Sequence, residues 1–279
     1  MNKLLSANFT RLKKDVFLKL CIIFMFAIGA LLPVLDYHVM ITYEFPRYID
    51  ESFFSYTSFM VILFSAFCSL FIGTEYSDGT IRNKLIVGHK RMDIYLSNLT
   101  ACIIAGVIMC IAYLIPYLLT GIPLLGFFIV DNISTIWIFL GCNLVLLIAL
   151  AAIFTLVSML NQNKALSAVI CILGLFVLLM LGAMIEDGLN QPEYFEDYAY
   201  MDPETKELVI EPSTANPYYI RGTQRQIYEF LSDFLPGSQI IRLSAMDAPS
   251  PEILAMYSGI IAVATTSLGI FFFGKEDIK

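Results

Sequence analysis

Six apolar stretches, each about 20 residues or more, limit what this chain can fold into. They cover roughly residues 16–35, 55–72, 94–119, 133–160, 165–185 and 253–273. A run of that length spans a bilayer as a helix, because inside lipid each backbone N–H and C=O must find its partner within the same element. The chain has 279 residues, 58% of them hydrophobic and 15% charged, and a soluble domain cannot hide that much apolar surface. The fold class expected is an all-α integral membrane protein with six transmembrane helices, reading as one membrane domain over 1–279. Pro116 predicts a kink towards the far end of the third span. Residues 120–130 are apolar but too short to cross alone, and read either as a re-entrant or interfacial piece or as the tail of that span. Cys21, Cys68, Cys102, Cys110, Cys142 and Cys171 all fall inside apolar runs and read as small core residues, not as a disulfide framework.

The charges segregate by side. With the N-terminus inside, the inner segments hold 12 basic and 6 acidic residues, and the outer segments hold 5 basic and 18 acidic. Basic residues stay on the cytoplasmic side of short loops, so the expected topology is a multi-pass protein of the plasma membrane with both termini cytoplasmic. In the first 16 residues, Met1, Leu5, Phe9, Leu12 and Val16 recur every three or four positions, with Lys3, Arg11, Lys13 and Lys14 on the other faces. That pattern suits a basic amphipathic helix lying in the headgroup plane, and it also serves as a positive flank orienting the first span. Residues 186–251 carry 12 acids, four bases, seven Pro and six Tyr, which predicts a small extracellular α+β subdomain between spans five and six. Ala199, Tyr200 and Met201 face Leu208, Val209 and Ile210 across Asp202-Pro203-Glu204-Thr205, as in a hairpin. Thr223-Gln224-Arg225-Gln226 fits a capping box, and Ile227, Leu231, Phe234 and Leu235 then make one helical face ended by Pro236-Gly237.

The segment between spans two and three is polar and bounded by Gly. Over 74–92 it carries Arg82, Lys84, Lys90 and Arg91. Asp78 is placed to cap a short helix beginning at Gly79, and Gly88 is placed to stop it. Ile81 and Leu85 share one face of that helix, with Arg82 and Lys84 projecting elsewhere. Such a helix is too short to span and too apolar to float, so it is expected to lie flat beneath the membrane with one face open to a partner.

The run Glu75-Tyr76-x-x-Gly79-Thr80-Ile81-Arg82-Asn83-Lys84-Leu85, followed by Gly88-x-x-Arg91, resembles the loop between spans two and three of ABC-2 type transporter permeases. The six spans, the basic lead-in, the large loop before span six and the segment from Asn216-Pro217-Tyr218 to Phe234-Leu235-Pro236-Gly237 are similar to that family too. The resemblance implies that residues 79–88 form a coupling helix seated in a cleft of a separate ATPase, and that Glu75 and Arg82 belong to a polar junction passing nucleotide-driven motion to the spans. It makes residues 1–15 the elbow helix. It further implies two permease chains, identical or related, with two ATPase chains, which bind ATP and Mg, and cargo passing between the permeases. Exported peptide, drug or other amphipathic cargo fits the family.

Other chemistry finds no support. No G-x-x-x-x-G-K-[ST] occurs, so no ATPase activity and no cofactor are expected of this chain itself. His38 and His89, the two histidines, are far apart, and H-E-x-x-H, C-x-x-C and G-x-S-x-G are absent, which leaves no metal or nucleophile pattern. No basic domain suggests nucleic acid. Within the apolar stretches no Asp, Glu, Arg or His sits deep, which argues against a self-powered carrier. Asn143 is the deepest notable polar residue, lining a pathway or bonding between helices. Thr265, Thr266 and Ser267 lie in a small-residue-rich sixth span suited to close helix packing. The competing reading is a non-transporting sensor or resistance component whose acidic extracellular loop binds a peptide.

Overall fold

The computed structural model describes all residues apart from 130–131, 196–197, 202–207, 212 and 277–279. Among the described residues, the six apolar stretches become six helices long and apolar enough to cross a membrane. An amphipathic helix, α1 (Asn2–Lys14), precedes the first span, α2 (Val16–Tyr43). The second span is broken into α3 (Ile49–Phe53) and α4 (Tyr56–Ser77). The short α5 (Thr80–Ile86) follows, then α6 (Arg91–Leu125), α7 (Ile133–Leu160) and α8 (Lys164–Leu189). After the paired strands β1 (Tyr198–Met201) and β2 (Leu208–Glu211) come α9 (Gly222–Phe234), α10 (Pro236–Ser244) and the last span, α11 (Pro251–Lys275). The helix α2 runs along α6, α11 along α7, and α4 sits centrally against α6, α7 and α8.

The helices outrun the apolar stretches. At 1.5 Å per residue the 35-residue α6 is about 52 Å long, well beyond a hydrocarbon core of about 30 Å. Residues 120–125 are therefore the tail of the third span, with Pro116 and Pro123 inside it. The same overrun carries Asp36 into α2 and Glu75 into α4, both beyond the apolar stretches 16–35 and 55–72. The break before α4 is stitched by α6. The Tyr117 hydroxyl donates to the Ile49 carbonyl at 2.8 Å and the Tyr113 hydroxyl to the Ser52 carbonyl at 2.9 Å. Buried Asp50 accepts from the Ile129 N–H at 3.1 Å, tying the α6–α7 connection back to α3.

The expected extracellular α+β subdomain is not supported. The strands β1 and β2 pair antiparallel over four residues each, and the turn Asp202-Pro203-Glu204-Thr205 lies outside the described residues. The rest of this segment belongs to the helical bundle. Helix α10 is buried on Pro236, Gly237, Ser238, Gln239, Ile240 and Leu243, against α8, α4 and α7. Gly237 approaches the Leu178 carbonyl so closely that a Cβ has no room there. Pro236 stands at the first position of α10, where its fixed φ favours a helix start and its missing N–H costs nothing, so it opens a helix instead of merely ending α9. The predicted capping box is not formed either, since α9 begins at Gly222 with no side-chain cap.

Candidate functional site

At the pole where α4 meets α6, the chain makes a tight double turn around a seven-residue helix. Gly79 at φ +65° and Gly88 at φ +92° bracket α5, both in the left-handed region that Gly adopts without a Cβ penalty. The N–H of His89 donates to the Lys84 carbonyl and that of Gly88 to the Leu85 carbonyl, the paired bonds of a Schellman stop. Gly79, not Asp78, occupies the N-cap, and Asp78 closes α4 instead. Ile81 is buried and Leu85 half-buried, so α5 lies with this face on the bundle. Arg82, Asn83, Ile86 and Val87 face outward, with Ile86 73% and Val87 77% exposed.

Beneath α5 lies a buried carboxylate. The Glu75 side chain is fully buried, and Oε1 accepts from Arg11 Nη1 of α1 and from Lys84 Nζ of α5. Its Oε2 accepts from Asn98 Nδ2 of α6 at 2.9 Å. The network continues outward from there. Asn8 Nδ2 donates to Asn98 Oδ1 at 2.8 Å, Arg11 Nη2 donates to the Phe71 carbonyl at 2.9 Å, and the guanidinium stands 4.2 Å from the Phe71 ring centroid. Next to it the Tyr76 hydroxyl donates to the Met159 carbonyl at the end of α7. One carboxylate thus joins α1, α4, α5 and α6. Burial pushes the Lys84 ammonium below the ordinary lysine range, while the Glu75 carboxylate pulls it back up. A charge taken from water is tolerated here only because it is paired and hydrogen-bonded on both oxygens.

A family model described as ABC-2 family transporter protein matches residues 4–178, a span that includes α1, the loop and this network. The chain belongs to the ABC-2 transporter family. No curated protein matches it at a significant level. It is a multi-pass membrane permease component of an ABC transporter, a class that works with an ABC ATPase in a lipid bilayer.

In this ABC-2 permease the candidate residues divide by position. Glu75, Tyr76, Ile81, Lys84 and Leu85 come together at the network, with Gly79, Thr80 and Gly88 shaping the turn around them. Arg82 does not join. It is exposed, and Lys84 pairs with Glu75 in the place the resemblance gave to Arg82. One residue pitch of 100° decides this, since Lys84 lies beside Ile81 on the bundle side and Arg82 does not. Arg91 opens α6 and reaches the end of α11, donating to the Phe273 and Glu276 carbonyls. Asn143 is buried at a helix contact: Thr57 Oγ1 donates to its Oδ1 at 2.6 Å, and its Nδ2 donates to the Phe139 carbonyl at 2.9 Å. Thr265 Oγ1 donates back to the Ile261 carbonyl within α11, Thr266 is half-buried and Ser267 exposed.

The sequence reading missed Arg11, Asn8 and Asn98. It placed the face of Met1, Leu5, Phe9, Leu12 and Val16 towards lipid and assigned no face to the bundle, where Leu4, Asn8 and Leu12 are buried while Met1 and Phe9 stay exposed. A polar Asn between two Leu at i, i+4 spacing was the available signal. It marks a polar partner waiting in the core.

The opposite pole holds a second polar cluster. Arg242 Nη1 donates to Asp233 Oδ1 at 2.6 Å and to Ser232 Oγ at 2.9 Å, and Ser232 Oγ donates to Glu186 Oε1 at 2.6 Å. These residues border a cavity of about 440 Å³ that Glu229, Arg225 and Asp247 also line. Ser258 Oγ donates to Gln239 Oε1 at 2.5 Å, holding α10 to α11.

Proposed function

We propose that this permease exports an amphipathic peptide, drug or related molecule, driven by a separate ATPase that docks on α5. The observation that carries the reading is the Glu75 network directly beneath an outward-facing Ile86–Val87 patch. A force on α5 reaches Glu75 through Lys84, and from Glu75 it reaches α1 through Arg11 and α6 through Asn98. Glu75, Tyr76, Gly79, Thr80, Ile81, Lys84, Leu85, Gly88 and Arg91 transmit or shape the motion, and Arg82 sits on the docking face. The loop pole is cytoplasmic together with both termini, following the basic bias of the short loops. The working unit pairs this chain with a second permease, identical or related, and two ATPase subunits carrying ATP and Mg. The free Met1–Phe9 stripe of α1 lies in the acyl boundary.

The test is co-purification from the native host in mild detergent, alongside a chain with residues 79–88 scrambled. A soluble ATPase should accompany the native chain and not the scramble. If both chains behave alike and bring down no nucleotide-binding protein, the coupling role is lost.

A second reading draws on the charged cavity between α8, α9, α10 and α11. There the chain is a sensor or resistance component that captures a cationic peptide at the outer pole. It requires peptide binding that survives the loop scramble, and vectorial transport by the reconstituted complex sinks it.

A further inference from the structure

The helix α11 is the least enclosed of the six spans and packs mainly along α7. Its loop-side end is held differently. Arg91 Nη1 donates to the Phe273 carbonyl at 2.8 Å and to the Glu276 carbonyl at 2.5 Å, and its guanidinium lies 5.8 Å from the Phe273 ring centroid. Phe273 is buried, with its ring 6.4 Å from that of Tyr95 one turn further along α6. Gln162 Nε2, from the α7–α8 connection, donates to Glu276 Oε1 at 3.2 Å. The last carbonyls of a helix have no partner within it and carry the negative end of its dipole, so a guanidinium is suited to hold them. Arg91 follows the α5 turn directly and is the first residue of α6.

We infer that Arg91 is a positioning residue that clamps the end of span six to the coupling loop, so that α11 follows the motion of α5. The inference rests on the coupling role proposed above. The loop then has two outlets. Glu75 addresses α1, α4 and α6 through side chains, while Arg91 addresses α11 through backbone carbonyls. A positive flank that merely orients a span has no need of two carbonyls some 180 residues distant in sequence.

The test is hydrogen exchange read by mass spectrometry on the full-length chain in nanodiscs with its co-purified ATPase, without nucleotide and trapped with ATP and vanadate. In the native complex, trapping should change exchange in residues 80–88 and in the last turn of α11 together. In Arg91→Ala, exchange in that last turn should rise about tenfold without nucleotide, as expected for losing a charge-assisted cap. Its response to trapping should vanish while that of residues 80–88 persists. Unchanged exchange in Arg91→Ala overturns the clamp. Faster exchange with the trapping response intact reduces Arg91 to a helix cap and overturns the positioning role. Should Arg91→Ala fail to fold, Arg91→Lys is read by the same two criteria, since an ammonium keeps the charge and loses the fork. If no ATPase accompanies the chain, the coupling role falls on that account alone, and the nucleotide-free comparison still decides whether Arg91 holds α11.

Discussion

The two poles of this permease solve the same problem, how to hold charges among helices, in opposite ways. At the loop pole a single buried carboxylate is shared by Arg11, Lys84 and Asn98 from three different helices. At the opposite pole the links run in sequence, Glu186 to Ser232 to Arg242 to Asp233, beside an open cavity, and Asp233 is 31% exposed. A shared centre makes its members interdependent, so loss of the centre strands Lys84 and Asn98 away from water and removes a partner from Arg11. A chain of local pairs beside solvent degrades link by link, with water replacing each missing partner. Rigid transmission needs the first arrangement, and a surface open to solvent tolerates the second.

The contrast can be broken at its strongest point first. Glu75→Gln leaves the largely buried Lys84 without a carboxylate and takes the same partner from Arg11, whose side chain is 29% exposed. It should cost about 3–5 kcal/mol in denaturant titration of the detergent-solubilised chain and should abolish ATP-driven movement of cargo. Adding Lys84→Met to Glu75→Gln should recover part of that loss, because the two residues share one network. Simple additivity of the two single losses would deny the shared centre. Arg11→Ala comes next, at about 1.5–3 kcal/mol, since one charged hydrogen-bonding partner is lost while Lys84 and Asn98 remain. At the other pole, Arg242→Ala should cost only about 1 kcal/mol by the same titration, because Asp233 is partly solvated. A loss equal to that of Glu75→Gln would erase the distinction between the poles. The smallest effect belongs to Arg225→Ala, whose ion pair with Glu229 is an exposed i, i+4 contact. It is expected at about 0.3–0.5 kcal/mol and to disappear in about 1 M salt, checked by titration at low and high salt.

Much of the fold was legible because apolar length is a strong local signal. The six spans and the short helix between Gly79 and Gly88 follow from runs and breaks that neighbouring residues define. What stayed hidden is non-local. Arg11 and Glu75 are 64 positions apart, and Asn8 and Asn98 are 90 apart. No spacing rule couples residues so far apart, and a lone Asn on a buried stripe says only that some partner exists. Lys84 and Arg82 looked interchangeable as two cations on one short helix. Their difference lies in which side of α5 meets the bundle, a matter of packing. Helix α10 was missed for another reason. Its Pro236-Gly237 start looks like a stop, and its buried surface includes Ser238 and Gln239, so hydropathy did not flag it.

That buried α10 bears on how the protein is assembled in the cell. A helix of nine residues, about 14 Å long, is too short for the insertion machinery to recognise as a span. It gains its place by packing between α8, α4 and α7 and not by crossing the bilayer. Its partners on α8, α4 and α7 all precede it in the chain, and the Gln239–Ser258 bond needs the final span to have been made.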